Sequence, residues 1–164
     1  MSNEQPSNLS GSVHSRQYRR MAWVLPAAYL VHLLEEYFTG VTLPVWLNTH
    51  LDADLSNSDF LTVNGIAMAI VLFNAVTFSV GRGRMTVMVA IITVFLVNGL
   101  LHGLGSLYWG QYSPGTITGL AIYVPLGLLA LYRLWQVLRR NVWQVGLAVG
   151  LVAHAMVITI ARSI

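Results

Sequence analysis

Five long apolar segments dominate this sequence and restrict the folds that it can adopt. Each approaches the ~20 residues that a helix needs to cross the hydrocarbon core of a bilayer. Helices and closed barrels are the structures that span membranes, and these segments lack the alternating pattern of a barrel strand. We therefore predict an all-α polytopic membrane protein, a bundle of five transmembrane helices over residues 21–38, 60–80, 85–107, 116–138 and 142–161.

The composition supports a membrane protein and excludes several other classes. Charged residues make up only 9% of the chain, against about 25% in soluble domains. The absence of cysteine excludes disulfides, thiolate ligands and thiol nucleophiles. The net charge of +3 arises from arginines in short clusters between apolar segments, which is a pattern of membrane orientation and not of nucleic-acid binding. Residues 1–20 are expected to form a disordered, basic N-terminal tail, and residues 21–164 the transmembrane domain.

The arginines predict the orientation of the bundle. Clusters precede the first segment, follow the second and lie at the end of the fourth, so that eight of the nine arginines fall on one side of the membrane. Basic residues are enriched in cytoplasmic loops. The N-terminus is therefore expected inside, the C-terminus outside, and the protein in the inner (cytoplasmic) membrane.

Three ionisable residues interrupt the first apolar segment. His32, Glu35 and Glu36 lie in its outer half. On a helix, residue 35 lies about 60° to one side of residue 32 and residue 36 about 40° to the other. The three side chains therefore share one face, and charges inside a membrane segment are costly and usually functional.

Further polar residues are expected at the same depth. Asn98 and His102 form an i,i+4 pair near the end of the third segment, and His154 lies in the outer half of the fifth. The loop containing Tyr112 and Gly115 leads into the fourth segment at that level. A bundle with these faces turned inward would hold carboxylates, imidazoles and a carboxamide in one pocket near the outer surface.

The same residues form a recognisable set of motifs. The set resembles the three motifs of the HXXEE family of small bacterial and archaeal membrane proteins, whose function is uncharacterised. The resemblance spans the region from the first to the fourth segment and implies that the motif residues belong together. The motifs are His32-x-x-Glu35-Glu36, Asn98-x-x-x-His102 and Tyr112-x-Pro114-Gly115.

A metal-dependent membrane enzyme is the favoured interpretation of this cluster. Two histidines and a carboxylate form a catalytic zinc set with an open position, and the same ligands suit non-haem iron. Glu36, at i+4 from His32, is the better aligned carboxylate, so the predicted metal ligands are His32, Glu36 and His102. The remaining assignments are Glu35 as general base or as a supporting partner of the ligands, Asn98 and Tyr112 as further catalytic residues, and His154 and Gly115 as substrate or supporting contacts.

Other interpretations remain open from the sequence. A metal-free acid–base enzyme of the isomerase type could use adjacent glutamates that titrate apart. A small transporter or binding protein could use the same residues as a proton or substrate path, and a purely structural pairing would neutralise buried charge. A site walled by apolar helices suits a lipid or another hydrophobic molecule. Substrate, reaction and oligomeric state do not follow from the sequence.

Overall fold

The computed structural model of the protein describes residues 8–161, with side chains from residue 16 onward. Within that range the secondary structure consists of six helices joined by short connections, and we number the helices in order. Residues 1–7, part of the expected tail, lie outside the described residues, whereas residues 8–20 belong to the first helix. The helices are α1 (Asn8–Phe38), α2 (Leu43–Leu51), α3 (Asn57–Ser79), α4 (Met85–Trp109), α5 (Thr116–Val137) and α6 (Arg140–Ala161).

Four of these helices, α3 to α6, are long and apolar enough to span a membrane. They correspond to the second through fifth predicted segments. The first helix is 31 residues long, but its apolar part contains the His32, Glu35 and Glu36 side chains, which lower its mean hydropathy. A membrane protein is thus supported, while the count of five spans and the orientation of the termini remain proposals.

The fourth helix forms the centre of the bundle. It packs against α5 and α6, while α1 packs along α3 and meets the start of α5. In its most apolar stretch α4 has 56% of residues buried, whereas α6 has only 17%. Large apolar side chains such as Phe73 and Leu107, 71% and 80% exposed, turn outward, as expected for helices that face lipid.

Two glycines of α4 bring this helix into close contact with α5. A Cβ atom on Gly99 would lie 2.6 Å from the backbone oxygen of Gly119, and one on Gly103 would lie 2.9 Å from Leu120. The Gly99-x-x-x-Gly103 spacing therefore serves packing inside the bundle. This contact fixes the depth at which α5 passes the His102 turn of α4.

Helix α5 contains one wide turn, which is π-helical from Gly119 to Tyr123. Pro125 follows it, and a proline offers no N–H to the carbonyl one turn earlier and clashes with it. The wider turn accommodates the proline without ending the helix, and such turns are frequent near functional sites. Tyr123, at the end of this turn, is 1% exposed, and its ring centroid lies 4.3 Å from that of His32, with the two rings tilted by 33°.

Candidate metal centre

Two imidazoles and one carboxylate converge at the end of α1. Glu36 Oε1 lies 3.2 Å from His32 Nε2 and 3.1 Å from His102 Nε2. The three residues are only 2%, 4% and 6% exposed for His32, Glu36 and His102. The predicted metal-ligand residues from α1 and α4 are thus brought together in a buried cluster.

The spacing of these three residues would allow them to hold a metal ion together. One possible ligand atom from each lies within 4.8 Å of the other two. Around an ion with ligand bonds of roughly 2.0–2.1 Å, the edge of a coordination tetrahedron is about 3.3 Å. The two Oε1–Nε2 distances are close to that edge, so His32, Glu36 and His102 can serve as three corners, with the fourth open.

The His32 imidazole does not simply donate a hydrogen bond to Glu36. Its Nε2 atom is buried and has no hydrogen-bond partner of acceptable geometry among the described residues, despite the carboxylate oxygen 3.2 Å away. The contact with Glu36 is therefore poorly aligned, and a poorly aligned hydrogen bond stabilises a buried nitrogen less than a linear one. An ion between the two side chains would satisfy the nitrogen lone pair and the carboxylate together.

The opposite nitrogen of each imidazole is held by a hydroxyl group. His32 Nδ1 lies 2.7 Å from Thr118 Oγ1, and His102 Nδ1 lies 3.2 Å from Ser113 Oγ. In metal sites the non-ligating ring N–H is commonly donated to an acceptor, which fixes the tautomer and the ring orientation. Thr118 and Ser113 can take this part and leave both Nε2 lone pairs directed at the centre.

Gly115 lies between the two imidazoles. A Cβ atom at this position would lie 2.9 Å from His32 Cε1 and 3.0 Å from His102 Cε1. Its φ of +96° is also in the left-handed region that favours glycine. The motif glycine therefore lets the loop backbone pack directly on both predicted ligands, which places it at the site as the sequence suggested.

The Glu35 carboxylate is held by donors from the loop and from the start of α5. Its Oε1 atom accepts a hydrogen bond of 2.8 Å from the Ile117 N–H, and Oε2 accepts one of 2.6 Å from the Thr118 N–H. The Tyr112 hydroxyl donates a further hydrogen bond to Oε1. The two N–H donors lie in the first turn of α5, where N–H groups have no partner within the helix. Glu35 thus caps α5 and ties it to α1.

The Tyr112 side chain lies on the loop at the edge of the site. It is 42% exposed, and its hydroxyl is bonded to Glu35. Partial burial, together with the hydrogen bond to the Glu35 carboxylate, raises the pKa of Tyr112. The phenol therefore stays protonated and acts as a donor that fastens the loop to α1.

Ser113 and Thr118 are functional candidates that the sequence analysis missed. Ser113 is 1% exposed, and its N–H donates to Ser106 Oγ at 2.8 Å. Thr116 Oγ1 bonds to Ser106 and to the His102 carbonyl oxygen. The spacing Ser-Pro-Gly-Thr-x-Thr directly after a motif tyrosine is a possible signal, but the hydroxyl partners depend on how the loop folds back over α4.

Two further predicted residues line the surroundings of the cluster. Asn98 lies one turn before His102, and its buried Oδ1 has no hydrogen-bond partner among the described residues. His154 is 5% exposed, its Nδ1 has no hydrogen-bond partner among the described residues, and it lies on α6, which packs against α4. Neither is among the three converging ligands, so both remain candidates for contacts around the centre.

Two surface grooves lie away from these residues. One is bounded by Leu128, Leu131, Tyr132, Trp135 and Trp143, and the other runs between α1 and α5 near their arginine-bearing ends. Neither groove includes a residue of the His/Glu cluster. The cluster is instead covered by the loop residues Ser113, Pro114 and Gly115, all of which are buried.

Comparison with known proteins agrees with this set of motifs. No curated protein and no solved structure gives a significant match to the chain. A family profile described as "Protein of unknown function with HXXEE motif" matches residues 23–130. The matched region contains both predicted histidine ligands, both glutamates and the Tyr-x-Pro-Gly loop, while His154 lies beyond it. Because the match covers well over half of the chain, the protein belongs to the HXXEE family.

Proposed function

We propose that this protein is a metal-dependent integral membrane enzyme whose centre is a divalent ion held by His32, Glu36 and His102. The observation that carries the proposal is the convergence of two Nε2 atoms on one carboxylate oxygen, at 3.2 and 3.1 Å, in a buried position. Burying these groups is costly without a partner that binds them. Three protein ligands leave a coordination position open for a substrate or water.

The ligand set suits zinc or iron. Imidazole and carboxylate bind either metal, and two histidines with one carboxylate are used in both hydrolytic zinc sites and non-haem iron sites. A bound ion would supply Lewis-acid or redox chemistry at this position. The protein supplies the rest: hydroxyl partners on Thr118 and Ser113 orient the rings, and the buried surroundings exclude water.

The proposed arrangement in the membrane has five spans. Helix α1 packs along α3 and presents apolar side chains such as Trp23 and Leu30, about half exposed, on its outer surface. The arginine pattern supports an inner membrane location with the N-terminus inside. In that orientation the His/Glu cluster lies in the outer half of the bundle.

A hydrophobic substrate fits this placement. The loop that covers the cluster follows Leu107 and Tyr108, which are 80% and 81% exposed. In a bilayer these side chains would contact lipid beside the Tyr112 hydroxyl. A lipid or other apolar molecule could therefore approach from the membrane if the Tyr112–Glu35 contact opens, and Asn98 offers an unpaired oxygen to a donor on it.

One observation favours a second candidate, a metal-free acid–base enzyme. Glu36 Oε1 lies within 3.2 Å of both Nε2 atoms, so a carboxylate shared by two imidazoles could move protons between them. In that case one ring would give its proton from Nε2 and accept at Nδ1, while the other would receive the proton at Nε2 and donate from Nδ1 to its hydroxyl partner. The poor alignment of His32 Nε2 with Glu36 Oε1 disfavours this alternative, because proton transfer needs a well-aligned hydrogen bond.

Metal analysis distinguishes the two candidates. Protein purified in detergent without chelator should contain about one transition metal ion per chain. His32→Ala and His102→Ala should each abolish that content, whereas His50→Ala should not, because His50 stacks on Trp46 outside the cluster. Metal-free wild-type protein that also fails to bind added zinc or iron would refute the proposal and favour the acid–base alternative.

A further inference from the structure

A groove separates the N-terminal half of α1 from the C-terminal half of α5. The residues that α1 contributes recur at helical spacing and so lie on one face, and those of α5 do the same. The α1 side of the groove includes Arg20 and Val24. The α5 side includes Leu126, Leu129, Arg133 and Val137.

The groove is apolar along its length and basic near one end. Leu126 is about three turns from Val137, so the α5 wall extends for about 16 Å. Arg20 and Arg133 flank this groove and are exposed. Among the residues that the structure describes, no carboxylate lies within ion-pair distance of either guanidinium.

The acidic residues that the structure describes lie elsewhere. Glu35 and Glu36 are on α1 about 24 Å beyond Arg20, at the rise of a helix, and Asp52, Asp54 and Asp59 belong to the connection between α1 and α3 and to the first turn of α3. The charges at the groove therefore have no internal counter-ion in the described part of the chain. Arginine binds phosphate with paired N–H donors, and basic pockets between membrane helices bind anionic lipid headgroups.

We propose that this groove binds an anionic phospholipid. The headgroup phosphate lies between Arg20 and Arg133, and an acyl chain lies along Val24, Leu126 and Leu129. Two arginines beside a long apolar wall favour a lipid over a free anion, because only a lipid has an acyl chain that the wall can bury. The site is separate from the His/Glu cluster, so the inference does not depend on the proposed enzymatic function.

Native mass spectrometry of the full-length protein in a neutral detergent tests the proposal. Wild-type protein is mixed with equal amounts of phosphatidylglycerol and phosphatidylcholine, and we expect the anionic lipid to be retained preferentially. The double variant Arg20→Gln/Arg133→Gln should bind phosphatidylglycerol roughly 30-fold more weakly, since each arginine near an anionic lipid contributes about a factor of five. Excess glycerol phosphate should not displace the lipid.

Two matched controls separate a specific site from general effects. Arg82→Gln/Arg84→Gln removes the same charge from the loop between α3 and α4 and should keep the lipid preference. Leu129→Trp, which fills the groove and keeps both arginines, should lower binding, whereas Leu151→Trp on the exposed surface of α6 should not. Equal losses in both arginine pairs, no lipid preference in wild type, or displacement by glycerol phosphate would overturn the proposal.

Discussion

Replacing Gly115 by alanine perturbs the candidate metal centre with little change in composition. The new Cβ would lie 2.9 Å from His32 Cε1 and 3.0 Å from His102 Cε1, closer than a real Cβ tolerates. The φ of +96° adds backbone strain, which costs a non-glycine residue about 1–2 kcal/mol. The imidazole rings or the loop must therefore shift, which disturbs the alignment of the rings with Glu36.

We expect this movement to weaken metal binding about 10- to 100-fold, as is typical when the support of a histidine ligand is removed. That loss corresponds to about 1.4–2.7 kcal/mol of binding free energy. Competition with a chelating dye measures the affinity of the detergent-purified protein for zinc, and thermal unfolding of the metal-free form measures the backbone strain separately.

Gly110→Ala is the matched control. Gly110 has a φ of +62° in the same loop, but a Cβ there would meet nothing within 4 Å. The control should therefore lower stability to a similar degree and leave the zinc affinity unchanged. The reasoning is refuted if Gly115→Ala binds zinc as tightly as wild type, or if the control loses as much affinity as the variant.

Three other predictions test the surroundings of the site and its place in the membrane. Thr118→Val should weaken zinc binding roughly 10-fold or more, because His32 Nδ1 loses its acceptor, whereas Thr118→Ser should restore it; equal affinities in the two variants would contradict the assignment. Glu35→Gln should lower the free energy of unfolding by about 1–3 kcal/mol, since an amide donor would face the α5 N–H groups; unchanged thermal unfolding would argue against the capping role. A cysteine at Gln111 should react with an impermeant reagent in intact cells and one at Asn141 should not, and the reverse result would invert the topology.

The membership of the cluster could be predicted because it depends on regular helices. The depth of His32 and His102 follows from where two apolar segments begin and end, and the i+4 position of Glu36 follows from the helical repeat. Both inferences survive small errors in helix boundaries. The structure accordingly brings these three residues together.

The capping contacts of Glu35 could not be predicted because they depend on the start of another helix. Its carboxylate caps α5 only because that helix begins at Thr116, opposite the last turns of α1. The contacts of Ser113 and Thr118 likewise depend on the fold of an irregular loop. Helix α2, nine residues long, lies in a connection that the hydropathy pattern leaves without a predicted element.

The central claim is tested most directly by X-ray absorption spectroscopy of the zinc-loaded protein. We expect a first shell of nitrogen and oxygen ligands at about 2.0–2.1 Å, with outer-shell scattering from two imidazole rings. His102→Ala, if it still retains zinc at high metal concentration, should show one ring fewer, while His50→Ala should show two. A six-oxygen shell without imidazole scattering in the wild-type protein would contradict the proposed ligand set.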